Sequence, residues 1–237
     1  MVVPHLGDAP YFSIPPLVTE EELEAKLDEL GLSRDKKVRA ALELSKNVHR
    51  GQLRNSTVPV LDEHIYPATL AGIAYQEHQK ISGNPEFYRI NSEGPIITLL
   101  HDVPDDGGIS KTEIKKRFGL RIVDLLWPIT DDSYRDARSY DEKIARKFET
   151  LRKCQWPTQI GGLSDRINNS LCYYTKPYIN EPTGKPTDIM RRQLRRDKHI
   201  VLPFAREVSP DFFYQMFDEL IIHYRKKYPI PIRGIFN

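Results

Sequence analysis

The stretch LLHDVPDDGG, Leu99–Gly108, places one histidine and three aspartates within six positions, directly behind an apolar run. The apolar residues of 92–103 recur as they do in a short, fully buried helix, which predicts a core helix with His101 and Asp102 on its last turn. Crowded carboxylates repel one another unless a cation or a shared proton relieves them. The stretch therefore predicts a metal site at the end of a core helix.

Pro104 divides this stretch into two acidic pairs. A proline disfavours helical geometry at the residue before it, so we expect a non-helical Val103 and a turn of the chain there. Such a turn carries Asp105 and Asp106 to the other side of an ion held by the first pair.

The rest of the sequence is dominated by helical periodicity. No segment shows sustained two-residue alternation, which predicts few strands or none. The expected fold is an all-α bundle of about 8–11 helices with little or no sheet. Helices are predicted near 19–30, 33–50, 64–80, 92–103, 136–154, 158–174 and 209–227.

Composition excludes several classes of partner. The 237 residues include 35 basic and 33 acidic ones, and a net charge of +2 gives no global preference for nucleic acid or an anionic membrane. The two cysteines, Cys154 and Cys172, lack Cys-x-x-Cys spacing and are predicted to be reduced thiols. There is no signal-peptide pattern and no apolar run near the roughly 18 residues of a membrane span. We expect a cytoplasmic protein without nucleic-acid or membrane partners.

Four residues are candidate metal ligands: His64, His101, Asp102 and Asp165. They lie on three separate predicted helices, each near a helix end or on an apolar face, and helical bundles build metal sites from such inward-facing side chains. Two imidazoles with two carboxylates suit Mn²⁺, Fe²⁺ or Zn²⁺ better than Mg²⁺ or Ca²⁺. The ligand types alone do not choose among those three ions.

The motifs of this chain resemble those of HD-domain metal phosphohydrolases of the RelA/SpoT type. HDVPDD at 101–106 is similar to the family's His-Asp-x-x-Glu-Asp signature, and HRGQLRN at 49–55 to its His-x-Gly-Gln-x-Arg-Lys motif. His64 before Pro67 resembles its His-Pro ligand. RFGLRIVDLLWPITDD and LSDRINN, at 117–132 and 163–169, resemble two further motifs in the family's order. Together the resemblance covers roughly residues 38–206.

The resemblance implies a hydrolase-only, small alarmone hydrolase that converts ppGpp or pppGpp to GDP or GTP and pyrophosphate. One ion, commonly Mn²⁺ in this family, would be held by the four candidate ligands. Asp105 and Asp106 take the places of the family's catalytic acid pair, and Asp105 stands where the family has glutamate.

The resemblance also implies a set of substrate contacts. Arg54 would lie against the guanine base and Asn169 near the nucleoside. Arg50 and Arg166 are the nearest further cations by motif. Asn55 belongs to the same motif and stands where the family has a lysine or arginine that often touches phosphate.

The family's bifunctional members continue into a synthetase domain, and only about 30 residues follow the resemblance here. The expected organisation is an N-terminal extension and helix at 1–32 and a hydrolase domain at 33–237, without a synthetase domain. Insertions are expected near 82–95 and 176–190.

Two other functions stay open at the level of sequence. The first is an HD phosphohydrolase for another nucleotide: an adenosine 3′-diphosphate analogue, a 3′-phosphorylated cofactor or a deoxynucleotide. The second is a catalytically silent, alarmone-binding regulator. The sequence leaves the choice between guanine and adenine and the oligomeric state undecided.

Overall fold

The computed structural model describes residues 17–54, 58–172, 179–180 and 185–227. Twelve α-helices are formed by these residues. In chain order they are α1 (Glu20–Glu29), α2 (Lys36–Val48), α3 (Tyr66–Ile81), α4 (Glu93–Leu100), α5 (Val103–Gly107), α6 (Lys111–Phe118), α7 (Leu120–Leu126), α8 (Tyr140–Leu151), α9 (Trp156–Leu171), α10 (Asp188–Arg196), α11 (Leu202–Val208) and α12 (Phe213–Lys227).

Within the described ranges, strands are limited to two short antiparallel pairs. β1 (Leu53–Arg54) pairs with β2 (Val58–Pro59), and β3 (Ile179–Asn180) pairs with β4 (Lys185–Pro186). The prediction of an all-α bundle with little sheet is confirmed. In the same residues, no helix is both long enough and apolar enough to cross a membrane.

Local sequence explains where the first helix begins and ends. The hydroxyl of Thr19 accepts from the Glu22 amide at 3.3 Å, and the Glu22 carboxylate accepts from the Thr19 amide at 2.8 Å. This reciprocal pair satisfies two amides that lack a partner within the helix. Gly31 follows the helix with φ of +71°, a left-handed conformation that glycine adopts without steric cost. The predicted helix near 19–30 is confirmed.

Helix α4 lies at the centre of the molecule, in contact with α2, α3 and α9. Its residues from Gly94 to Leu100 are all buried. Gly161 lets α9 approach it closely, because a Cβ at that position would lie 2.8 Å from Cγ2 of Ile97. This close approach brings Asp165, one turn further along α9, towards the end of α4.

The structure corrects the prediction for Val103. This residue is the first of α5 instead of a non-helical residue, and the interruption falls at His101 and Asp102. Pro104 lies in the first helical turn, where its missing N–H is not needed for a backbone hydrogen bond. The chain still changes from one helix to another between the two acidic pairs, and α5 carries Asp105 and Asp106.

A second correction concerns His64, predicted in the first turn of an α-helix. A single π-helical turn, Leu61–Ile65, carries His64 and leads directly into α3. Of the two expected insertions, 82–95 contains a 3₁₀ turn at Pro85–Phe87. Residues 176–178 and 181–184 of the second one, 176–190, lie outside the described residues, and the predicted domain organisation stays a prediction.

Candidate functional site

The four predicted metal ligands converge at one point. Nε2 of His64 lies 3.0 Å from Nε2 of His101, and Oδ2 of Asp102 lies 3.1 and 3.3 Å from these two atoms. Oδ1 of Asp165 is slightly farther, 3.5 Å from His64 Nε2 and 3.8 Å from His101 Nε2. The end of α4, the π-helical turn and α9 therefore each supply part of a single cluster of donors.

Hydrogen bonds on the far side of each imidazole fix how the rings face this cluster. Nδ1 of His101 donates to the carbonyl oxygen of Thr98 at 2.6 Å, and Nδ1 of His64 donates to Oδ1 of Asn168 at 2.7 Å. In the neutral imidazoles, both Nε2 lone pairs then point towards each other. A metal ion or a shared proton between them relieves this arrangement, and metal-bound histidines are commonly held by such Nδ1–H bonds. The residues fit a divalent metal ion.

Asp165 is held in place by its neighbours. Nδ2 of Asn169 donates to Oδ1 of Asp165 at 2.5 Å, and Oδ1 of Asn169 accepts a hydrogen bond from Arg54. The ammonium of Lys147 lies 3.7 Å from the other carboxylate oxygen, Oδ2. The orientation of this ligand is therefore set by an amide and a buried cation.

The charges of this cluster shift its pKa values strongly in the absence of metal. Burial lowers the pKa of His101, but Asp102 and Asp165 outweigh it and raise that pKa to about 9. Burial raises the pKa of Asp102, but His101 and His64 outweigh it and hold that pKa well below its ordinary value. The carboxylates are thus ionised, and a proton competes with a metal ion for Nε2 of His101.

Three residues of the cluster, His64, Asp102 and Asp165, line a cavity of about 300 Å³. Five aspartates and three cations line it, an excess of two negative charges that one divalent cation neutralises. A neighbouring cavity of about 330 Å³ shares Asp105, Asp131 and Tyr140 with it. The charged residues of the first cavity are Asp102, Asp105, Asp106, Asp131, Asp165, Arg54, Lys147 and Arg166.

Asp105 and Asp106, the predicted catalytic pair, occupy the cavity rim. Oδ2 of Asp105 accepts from the backbone amide of Asp131 at 2.7 Å, which ties α5 to the turn after α7. Asp106 is more open, with 45% of its side chain exposed, and its Oδ2 lies 3.6 Å from Nδ1 of the buried His49. Burial, followed by the charge of Asp102, raises the pKa of Asp106. Asp106 is thus the carboxylate better suited to accept a proton.

The predicted substrate residues are placed differently from one another. Arg54 and Asn169 line the cavity. Arg166 also lines it, but its guanidinium binds Asp197 at 2.6 Å. Arg50 is exposed, donates to Asn47 and does not line the cavity. Asn55 lies outside the described residues.

Sequence reasoning missed two residues of this site. Asn168 orients His64, and Lys147 is 8% exposed beside Asp165. A signal for Lys147 was present in the sequence, because it occupies the apolar face of α8 with Ile144 and Phe148 at helical spacing. Asn168 has no comparable signal in the sequence. It is a single amide residue directly before Asn169, the asparagine of the motif.

Comparisons with known proteins define the fold. No family model and no curated protein match the sequence. Among solved structures, the chain is similar to a metazoan ortholog of SpoT that hydrolyses ppGpp and plays a role in starvation responses. The two chains share 19% sequence identity with a TM-score of 0.56, over 85% of this chain and 98% of that chain. At this identity the likeness shows a shared fold.

Proposed function

We propose that this chain is a metal-dependent phosphohydrolase of the HD type that removes the 3′-diphosphate of ppGpp and pppGpp. The observation that carries the proposal is the convergence of His64, His101, Asp102 and Asp165 in one cluster, beside a cavity that Asp105 and Asp106 also line. The motifs of the sequence, in the order of the RelA/SpoT hydrolases, support the choice of substrate. The fold shared with a protein that hydrolyses ppGpp supports it further.

The proposed cofactor is one Mn²⁺ ion, with Fe²⁺ or Zn²⁺ as alternatives for the same donors. His64, His101, Asp102 and Asp165 would hold it. When bound, such an ion generates a nucleophile from water near neutral pH and stabilises charge on a phosphoryl group. The chain's own residues provide the binding, orientation and proton transfer described next.

In the proposed reaction, water attacks the phosphorus next to the ribose O3′ and the O3′–P bond breaks. Asp106 accepts the proton of the attacking water, since its carboxylate is exposed to the cavity and its pKa is raised. Asp105 keeps α5 against the Asp131 amide and so positions Asp106. The products are pyrophosphate and GDP or GTP, with the proton from water passed on to the ribose oxygen.

Arg54 and Asn169 are the proposed contacts to the nucleoside, and they are already joined by a hydrogen bond beside the metal ligands. The other predicted substrate residues are Arg166, Arg50 and Asn55. Of these, Arg166 lines the cavity.

The proposed setting is the cytoplasm, without a nucleic-acid partner. Cys154 and Cys172 are not joined in a disulfide, which fits a reducing compartment. Arg195 and Arg196, from the basic helix α10, both bind Asp141 at 2.7 and 2.5 Å, which favours an intramolecular role for these charges.

The test is to incubate the purified chain with Mn²⁺ and ppGpp and to identify the products. Release of pyrophosphate with GDP supports the proposal. A panel with adenosine 3′-diphosphate analogues, 3′-phosphorylated cofactors and deoxynucleotides separates it from the other HD phosphohydrolases. Release of orthophosphate, or turnover only of another nucleotide, overturns the substrate assignment, and tight ppGpp binding without turnover identifies a regulator.

A further inference from the structure

Lys147 is a buried cation that the proposed reaction has not yet used. It lies on α8, and its side chain is 10% exposed. Its Nζ is 3.7 Å from Oδ2 of Asp165, which is an ion-pair distance but longer than a hydrogen bond. Among the residues that the structure describes, Nζ has no hydrogen-bond acceptor. Lys147 lines the cavity, so a ligand bound there can supply the acceptor that the described residues do not.

The other cations that line the same cavity are engaged with the protein. Arg54 donates to Asn169, and Arg166 binds Asp197 at 2.6 Å and Gln193 at 2.9 Å. Lys143, one turn before Lys147 on α8, pairs with Asp131. Lys147 is the lining cation none of whose donors is used by an acceptor in the described part of the chain, whereas in Arg54 Nη2 is bonded to Asn169 and the buried Nη1 has no partner there.

The position of Lys147 relative to the metal ligands decides what it would contact. Oδ1 of Asp165 faces the two histidine Nε2 atoms, whereas Oδ2 faces Lys147. The ammonium and the histidine nitrogens are therefore nearest to different oxygens of one carboxylate, and Lys147 and Asp165 line the same cavity. An anionic group bound at the cluster is within reach of a lysine side chain placed there.

We propose that Lys147 is a substrate-binding residue, whose ammonium donates to a nonbridging phosphoryl oxygen of the diphosphate held beside the metal centre. The proposal rests on the proposed function, since it assigns a second cation to the same phosphoryl group. Negative charge grows on those oxygens as the O3′–P bond breaks, and a fixed ammonium stabilises it. Lys147 forms no covalent bond and transfers no proton in this role.

The test compares Lys147→Met and Lys147→Arg with the wild type, and uses Lys153→Met as the matched control. Methionine keeps the length and apolar stem of lysine, arginine restores the charge, and Lys153 lies outside the cavity with 76% of its side chain exposed. Three quantities are measured on each: the Kd of Mn²⁺, the Kd of pyrophosphate for the Mn²⁺-loaded protein, and kcat/KM for ppGpp. Far-ultraviolet circular dichroism checks the folding of each variant.

Lys147→Met is expected to weaken pyrophosphate binding and lower kcat/KM by about 10- to 100-fold, the usual range for a hydrogen bond to a charged group. The Kd of Mn²⁺ stays within about threefold, Lys147→Arg recovers part of the loss, and Lys153→Met matches the wild type. Unchanged pyrophosphate affinity in Lys147→Met overturns the proposal. So does a loss of Mn²⁺ affinity as large as the loss of activity, because Lys147 then acts only through Asp165.

Pyrophosphate binding also separates this proposal from the proposed function. A wild type that does not hydrolyse ppGpp contradicts the proposed substrate, while the contribution of Lys147 is still read from pyrophosphate binding. If Lys147→Met does not fold, Lys147→Gln, which lacks the charge but keeps a polar end, carries the test: weakened pyrophosphate affinity with unchanged Mn²⁺ affinity supports the contact, and wild-type values for both overturn it.

Discussion

The two sides of the cavity differ in how the protein fixes them. The metal wall, defined as His64, His101, Asp102 and Asp165, is mostly buried, and its histidines are oriented by hydrogen bonds to Thr98 and Asn168. The acid rim, defined as Asp105 and Asp106, lies on the short helix α5, and Asp106 has 45% of its side chain exposed. The wall is arranged by the protein core before any ligand arrives, whereas Asp106 on the rim is open to water and substrate.

The largest expected effect follows from breaking the metal wall. His101→Ala removes one of two buried imidazoles and the charge that most lowers the pKa of Asp102, so metal binding and hydrolysis are expected to fall by on the order of 1,000-fold or more. His199→Ala, at an exposed position, is the control and is expected to behave as wild type. Calorimetric Mn²⁺ titration and a ppGpp assay measure the two quantities. Turnover of His101→Ala near the wild-type rate is incompatible with the assignment.

Breaking the acid rim should affect activity but not metal binding. Asp106→Asn keeps the shape of the side chain but cannot accept the proton of water, and general base catalysis accounts for about 100- to 10,000-fold in rate. The Mn²⁺ Kd is expected to stay within about threefold because Asp106 is not a ligand. Asp124→Asn, at an exposed position of α7, serves as control. A parallel loss of Mn²⁺ binding would show that Asp106 is itself a metal ligand, so that the wall and the rim would not have separate roles.

Much of the clustering of the wall residues could be predicted from sequence because they lie on, or directly beside, helices with clear apolar periodicity. The apolar spacing of α4 fixes the burial of His101, and the isolated Asp165 lies on the apolar face of α9. The sequence also anticipated the helical class and the cap at Thr19. These features depend on local periodicity and on residue chemistry at short spacing.

Other features depended on packing between distant segments and could not be predicted. The ion pair of Arg166 with Asp197 joins α9 to a π-helical turn 31 residues later. The guanidinium of this predicted substrate residue is therefore bound to a carboxylate of the protein. Asp105 meets the amide of Asp131, 26 residues away. The helical state of Val103 was missed because the constraint before a proline is a bias, which the packing of α5 overrides.

The third prediction concerns how Mn²⁺ binding to the metal wall depends on pH. The pKa of His101 in the metal-free protein is about 9, above its ordinary 6.5, so the stabilisation from its charge is full below pH 6.5 and is lost as pH rises through about 9. Because the same proton must leave before metal binds, Mn²⁺ affinity is expected to rise about tenfold per pH unit over this window. Anaerobic calorimetry at about pH 7 and about pH 8.5 measures it, with Asp106→Asn giving the same slope. A flat profile contradicts the competition.

The smallest effects are expected for the two arginines of the 49–55 motif. Arg54→Ala removes a cavity-lining guanidinium bound to Asn169 and is expected to lower kcat/KM by about 10- to 100-fold. Arg50→Ala changes an exposed side chain outside the cavity and is expected to have about a twofold effect. Steady-state kinetics on ppGpp measures both. A loss for Arg50→Ala as large as that for Arg54→Ala would show that the substrate extends beyond the cavity on this side.

The central claim is that a buried wall holds the metal and that a separate rim accepts the proton of the attacking water. The most direct test is to locate the metal. Anomalous scattering from crystals of the full chain soaked in Mn²⁺ gives its position. The account predicts one peak, at about 2.0–2.3 Å from Nε2 of His64, Nε2 of His101 and a carboxylate oxygen of both Asp102 and Asp165, present also in Asp106→Asn. A peak bonded to Asp105 or Asp106 in place of the histidines, or no peak in the cavity, would contradict it.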